Sequence, residues 1–92
     1  MKSRVHVIIS GRVQGVWFRA NTRDKAEQLG INGWVRNTHD GNVEAVFEGD
    51  EEHIKEMINW CRQGPPMAKV ENLIIEKQPV SDEFNGFSIK YY

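Results

Sequence analysis

Three observations in the sequence predict an α+β fold. Short runs of β-branched or alternating apolar residues recur along the chain. Two longer stretches instead repeat their apolar residues at helical spacing. Glycine, proline and Asp-Gly signals separate these runs. In chain order the elements read β-α-β-β-α-β with a short fifth strand added. This is the split βαβ, ferredoxin-like arrangement, an α/β sandwich with two helices on one face of a mainly antiparallel sheet.

Each element has its own justification. Val5 to Ser10 is rich in β-branched residues, with Val5, Val7 and Ile9 on one side of a first strand. Gly11 to Gly15 is loop chemistry, with a glycine at each end. From Phe18 to Leu29 the pattern turns helical, carried by Phe18, Thr22, Ala26 and Leu29. Gly30 stands where a helix C-terminus favours a left-handed residue. Ile31 to Thr38 forms a second strand, and His39-Asp40-Gly41-Asn42 a turn. Val43, Ala45 and Phe47 alternate with Glu44 and Glu48, which predicts a third strand with one buried and one wet face.

Asp50 is placed to cap the second helix, and Glu51 and Glu52 suit its positive end. Ile54, Met57, Ile58 and Cys61 make one apolar stripe, which Gly64-Pro65-Pro66 terminates. Lys69 to Lys77 is a fourth strand centred on Leu73-Ile74-Ile75. Phe87, Ile89 and Tyr91 alternate with Ser88, Lys90 and Tyr92 in the fifth. In this topology the third strand lies between the first two, which run parallel through a right-handed crossover. The loop after strand one and the end of strand two then share one edge of the sheet. Arg19 and Asn37 become neighbours.

Ninety-two residues suit a single domain spanning 1–92. The formal net charge of −1 removes the broad positive field of a non-specific nucleic-acid binder. The lone Cys61 forbids an intrachain disulfide and a thiolate zinc cluster. No apolar run is long enough to span a membrane, and the one near the N-terminus is too short for a signal peptide. A cytoplasmic monomer without membrane or nucleic-acid partners is the expectation.

The chemistry concentrates in Gly11-Arg12-Val13-Gln14-Gly15-Val16-Trp17-Phe18-Arg19, which joins a strand to a helix N-terminus. Such junctions expose unpaired backbone N–H groups, reinforced by the helix dipole. Gly15 lets successive N–H groups turn into one anion-binding concavity. Arg19 adds a permanent charge with a planar donor fork. On loop composition alone, a glycine turn with a surface arginine is the simpler reading.

Two motifs change that balance. The loop with Phe18-Arg19, and Gly33-Trp34-Val35-Arg36-Asn37 followed by Asp40-Gly41 and Val43-Glu44, resemble the two signatures of the acylphosphatase family. Gly64-Pro65 with Ala68 and Val70 is similar to that family's link into strand four. The resemblance covers essentially the whole chain and extends to acylphosphatase-like domains of larger carbamoyl-transferring proteins. An end after the fifth strand favours the small free-standing form.

The resemblance implies metal-independent, cofactor-free hydrolysis of a small-molecule acyl phosphate. It implies that Arg19 binds the phosphate and that Asn37 orients the attacking water. Gln14, Gly15, Val16, Trp17 and Phe18 would supply the phosphate-binding backbone, a site also suited to inorganic phosphate or sulfate. Trp17 stands where many relatives carry another residue, so the pocket's shape is open.

Other residues read differently. His6, His39 and His53 lie on separate elements with no metal-ligand spacing. Thr22 is placed to pack or to bond back within its helix. Arg12 and Arg36 flank the loop motifs and are candidates for steering an anion. The competing function is a non-catalytic anion-binding module of the same fold. An RNA-binding sheet lacks its aromatic strand signature.

Overall fold

The structure is a computed structural model that describes residues 1–91. The elements run β1 (Lys2–Arg12), α1 (Phe18–Leu29), β2 (Asn32–Asn37), β3 (Val43–Asp50), α2 (Glu51–Gln63), β4 (Lys69–Gln78) and β5 (Phe87–Lys90). They build one five-stranded sheet in the order β4-β1-β3-β2-β5. As expected, β3 lies between β1 and β2 and runs antiparallel to both. The fifth strand adds to β2 in parallel, with Val35 opposite Ile89. Tyr92, expected in its alternation, lies outside the described residues.

The helix-facing side of the sheet is the core. Val5, Val7 and Ile9 of β1 meet Val43, Ala45 and Phe47 of β3 there, all buried. From the helices, Phe18, Ala26, Ile54, Met57 and Cys61 close over them. Phe18 meets the Trp60 ring edge-on at 5.6 Å between centres, and Phe47 stacks on Phe87 at 5.7 Å. Burial pushes the Cys61 thiol up to about 12, the behaviour of an inert apolar filler.

The helix ends follow the sequence signals. Asp50 caps α2 by accepting from the Glu52 N–H at 3.0 Å. After α1, Gly30 turns left-handed and the Ile31 N–H donates to the Ala26 carbonyl at 2.8 Å.

One expectation needs correction. Glu48 does not sit on a wet face: it is 2% exposed. The segment between β4 and β5 must cross from one sheet edge to the other. Where it crosses, the Ser81 and Asp82 N–H groups each donate to the Glu48 carboxylate at 3.0 Å. Arg4 supports that crossing through Gln78, Ser81 and Glu83. In β4, an edge strand, Ile74 and Ile75 are exposed. Thr22 is buried, but its hydroxyl bonds to nothing among the described residues, so it packs without bonding back.

Candidate active site

The crossover through α1, which leaves β1 and β2 parallel on either side of β3, brings their ends to one edge of the sheet. A cavity of about 280 Å³ opens there, lined by Val13, Gly15, Trp17, Phe18, Arg19 and Ala20 from one side. Asn37, Ile89 and Tyr91 close the other side. The residues singled out from two separate motifs thus meet across one cavity.

The loop's backbone explains its shape. Gly15 has φ +73° and Trp17 φ +67°, while Val16 between them does not take a positive φ. Positive-φ residues on either side of an ordinary one are the kind of loop backbone in which successive N–H groups can turn toward one concavity. Among the described residues, the N–H groups of Val16, Trp17, Phe18 and Arg19 have no hydrogen-bond acceptor. The left-handed conformation is costly for tryptophan, which is also 74% exposed.

The two helix N-termini differ in the same way. α2 begins with a side-chain cap and two glutamates. α1 has no side-chain cap and no acidic residue in its first turn. The positive end of its dipole therefore has no acidic side chain of its own first turn against it, and the half-buried Arg19 stands beside it. No carboxylate pairs with Arg19 among the described residues; its guanidinium lies 5.1 Å from the centre of the Tyr91 ring.

Gln14 ties the loop to the hairpin that carries Asn37. Its Nε2 donates to the carbonyls of Thr38 and Asn42, both at 2.8 Å. The hairpin is itself closed by the Thr38 N–H on the Asn42 carbonyl and by the Asn42 N–H on the Thr38 hydroxyl. Asn37, the last residue of β2, holds its side-chain oxygen buried with no partner among the described residues. A buried acceptor without a donor costs free energy unless a ligand or water supplies one.

The remaining candidates lie elsewhere. Arg36 points to the opposite face, where its Nε donates to Glu44 at 2.6 Å and His6 lies 2.6 Å from the same carboxylate. Burial opposes ionisation of Glu44, but these two partners outweigh it and hold its pKa below the usual range. Neither Arg12, Arg36 nor His39 lines the cavity. Val16 and Phe18 have buried side chains. Tyr91 and Ile89 were missed as cavity residues because only the pairing of β5 with β2 brings them there.

Among the described residues, no group of three His, Cys, Asp or Glu side chains converges as a metal site, and no helix is long and apolar enough to cross a membrane.

Comparison with known proteins agrees with this geometry. The family model "Acylphosphatase" matches residues 5–89. The chain is 52% identical over 90 residues to an acylphosphatase of Pelotomaculum thermopropionicum, covering 98% of each. It is similar to the solved structure of an acylphosphatase from Coxiella burnetii at TM-score 0.92 and 40% identity, covering 97% of this chain and 93% of that one. It is also similar to the Bacillus subtilis acylphosphatase structure at TM-score 0.93 and 33% identity, covering 99% and 100%. With the fold, both signature motifs and these likenesses in agreement over nearly its full length, the chain belongs to the acylphosphatase family.

Proposed function

We propose that this chain hydrolyses the carboxyl-phosphate bond of small acyl phosphates to a carboxylate and inorganic phosphate, by the following mechanism. The N–H groups of the Gln14–Arg19 loop and the Arg19 fork hold the phosphoryl oxygens. Water bonded to Asn37 attacks phosphorus in line. The new bond joins the water oxygen to phosphorus, and the phosphorus–oxygen bond to the acyl group breaks. The carboxylate leaves with the electron pair and needs no proton, so no general acid is required. The water proton passes to a phosphate oxygen.

Catalysis is then positioning plus charge stabilisation. Each preorganised donor is worth about 10²–10³ in rate, and an arginine on the transferring group about 10³–10⁵. Asn37 is neutral and a poor base, but its oxygen accepts one hydrogen of the water. The observation that carries the reading is that Asn37, whose side-chain oxygen has no partner among the described residues, lines one cavity with the loop N–H groups and with Arg19, which no carboxylate of the described residues pairs. The reaction uses no metal or cofactor; among the described residues, the cavity lining contains no histidine, cysteine or carboxylate to hold one. The protein acts as a cytoplasmic monomer, without nucleic-acid or membrane partners.

The test is turnover of acetyl phosphate with and without chelator, in the wild-type chain and in Asn37→Ala. Turnover that survives chelator, and collapses in Asn37→Ala while inorganic phosphate still binds, supports the reading. A wild-type chain that binds phosphate without turnover is an anion-binding module instead. An Asn37→Ala chain that keeps its rate but loses phosphate affinity removes the water-orienting role.

A further inference from the structure

One side chain in the cavity has no part in the mechanism above. Tyr91 follows β5, and the parallel pairing of β5 with β2 carries it to the same sheet edge as Asn37. Its ring lies under the Arg19 guanidinium, within the range of a cation–π contact. Tyr91 is 78% exposed, so core packing does not account for its placement.

We propose that Tyr91 is a positioning residue whose ring holds the Arg19 guanidinium at the cavity before the phosphate arrives. This rests on the reading of Arg19 as the phosphate ligand. An arginine has a long flexible stem, and ordering it only when the ligand binds weakens binding. A ring that already holds the group removes much of that cost. The aromatic face also suits the task better than a carboxylate would. A carboxylate would take the guanidinium N–H groups in strong bonds and cancel the charge the phosphate needs. The ring attracts the cation through its quadrupole and leaves both the charge and the donor fork for the incoming anion. Arg19 lines the cavity while in contact with Tyr91, so holding it there is compatible with binding rather than opposed to it.

The contribution is the same before and at the transition state, so it enters KM and not kcat. An exposed cation–π contact corresponds to about a two- to fivefold change in affinity. In the full chain, Tyr91→Leu raises KM for acetyl phosphate and weakens competitive inhibition by inorganic phosphate by that factor. Its kcat and melting temperature stay at wild-type values, and Tyr91→Phe behaves as wild type because it keeps the ring. Wild-type KM and phosphate affinity in Tyr91→Leu overturn the proposal. So does tighter phosphate binding, which would mean that the ring holds Arg19 back. A Phe variant as weak as the Leu variant assigns the effect to the hydroxyl and overturns it as well. Arg19→Ala in the same assay separates the two levels. If that variant binds phosphate like wild type, the underlying reading of Arg19 falls, and the role of Tyr91 with it.

Discussion

Replacing Gln14 with alanine separates fold stability from site geometry. The substitution removes two hydrogen bonds, to the Thr38 and Asn42 carbonyls. At a net worth of about 0.5–1.5 kcal/mol each, the loss spans about 1–3 kcal/mol. The acceptors decide where in that span it falls. The Thr38 carbonyl still accepts from the Gly41 N–H, and the Asn42 carbonyl from the Thr38 N–H and hydroxyl. Neither is left orphaned, so the cost sits near the lower end, about 1 kcal/mol. For a chain of this size that lowers the melting temperature by about 4–8 °C.

The effect on catalysis is larger. Gln14 links the loop between β1 and α1 to the hairpin beginning one residue after Asn37. Displacing one half of a site by about 1 Å costs about 10² in rate. We therefore expect kcat/KM for acetyl phosphate to fall by about 10–10² while the protein remains folded at assay temperature. Gln14→Glu should be worse on both measures, because a carboxylate would face two carbonyl oxygens with nothing to donate. Thermal melting and steady-state kinetics on the two variants check this. Wild-type kcat/KM in Gln14→Ala, or a collapse of stability well beyond about 8 °C, would refute the reasoning.

Three further outcomes follow from the same structure. Arg19→Lys keeps a charge but loses the planar fork, so kcat/KM should drop by at least about 10² with little change in melting temperature; near-normal turnover removes the bidentate role. Glu48→Ala strands the Ser81 and Asp82 N–H groups and loosens the crossing segment that leads to β5. It should cost about 3–5 kcal/mol in denaturant unfolding, and a loss under about 1 kcal/mol would show the carboxylate to be dispensable. The Glu44 carboxyl has a lowered pKa when folded, so its stabilising contribution is present above the ordinary value of 4.5 and is lost as pH falls through the lower folded value. Glu44→Gln should therefore be less stable than wild type at neutral pH but lose less stability on acidification, measured by melting scans from about pH 7 to about pH 3.

The order of elements was legible in the sequence because each local signal has a local cause. Alternation marks a pleat, a three-and-four spacing marks a helix face, and Asp50 and Gly30 act through bonds to residues a few positions away. The meeting of Arg19 and Asn37 was legible only through topology and the resemblance, since neither residue's neighbours in sequence point to the other. Tertiary structure decided the rest. Glu48 keeps the alternation expected of it, yet it is buried because a distant segment is laid over its face. Ile74 and Ile75 are apolar in the sequence yet exposed in the fold, on a strand with no neighbour beyond it among the described residues. Gln14 and Tyr91 gained their partners from distant parts of the chain, Gln14 from the Thr38 carbonyl and Tyr91 from the Arg19 guanidinium. Periodicity and capping depend on separations of a few residues, so they fix what each segment becomes. What a side chain touches across the fold depends on contacts that exist only once the sheet is assembled.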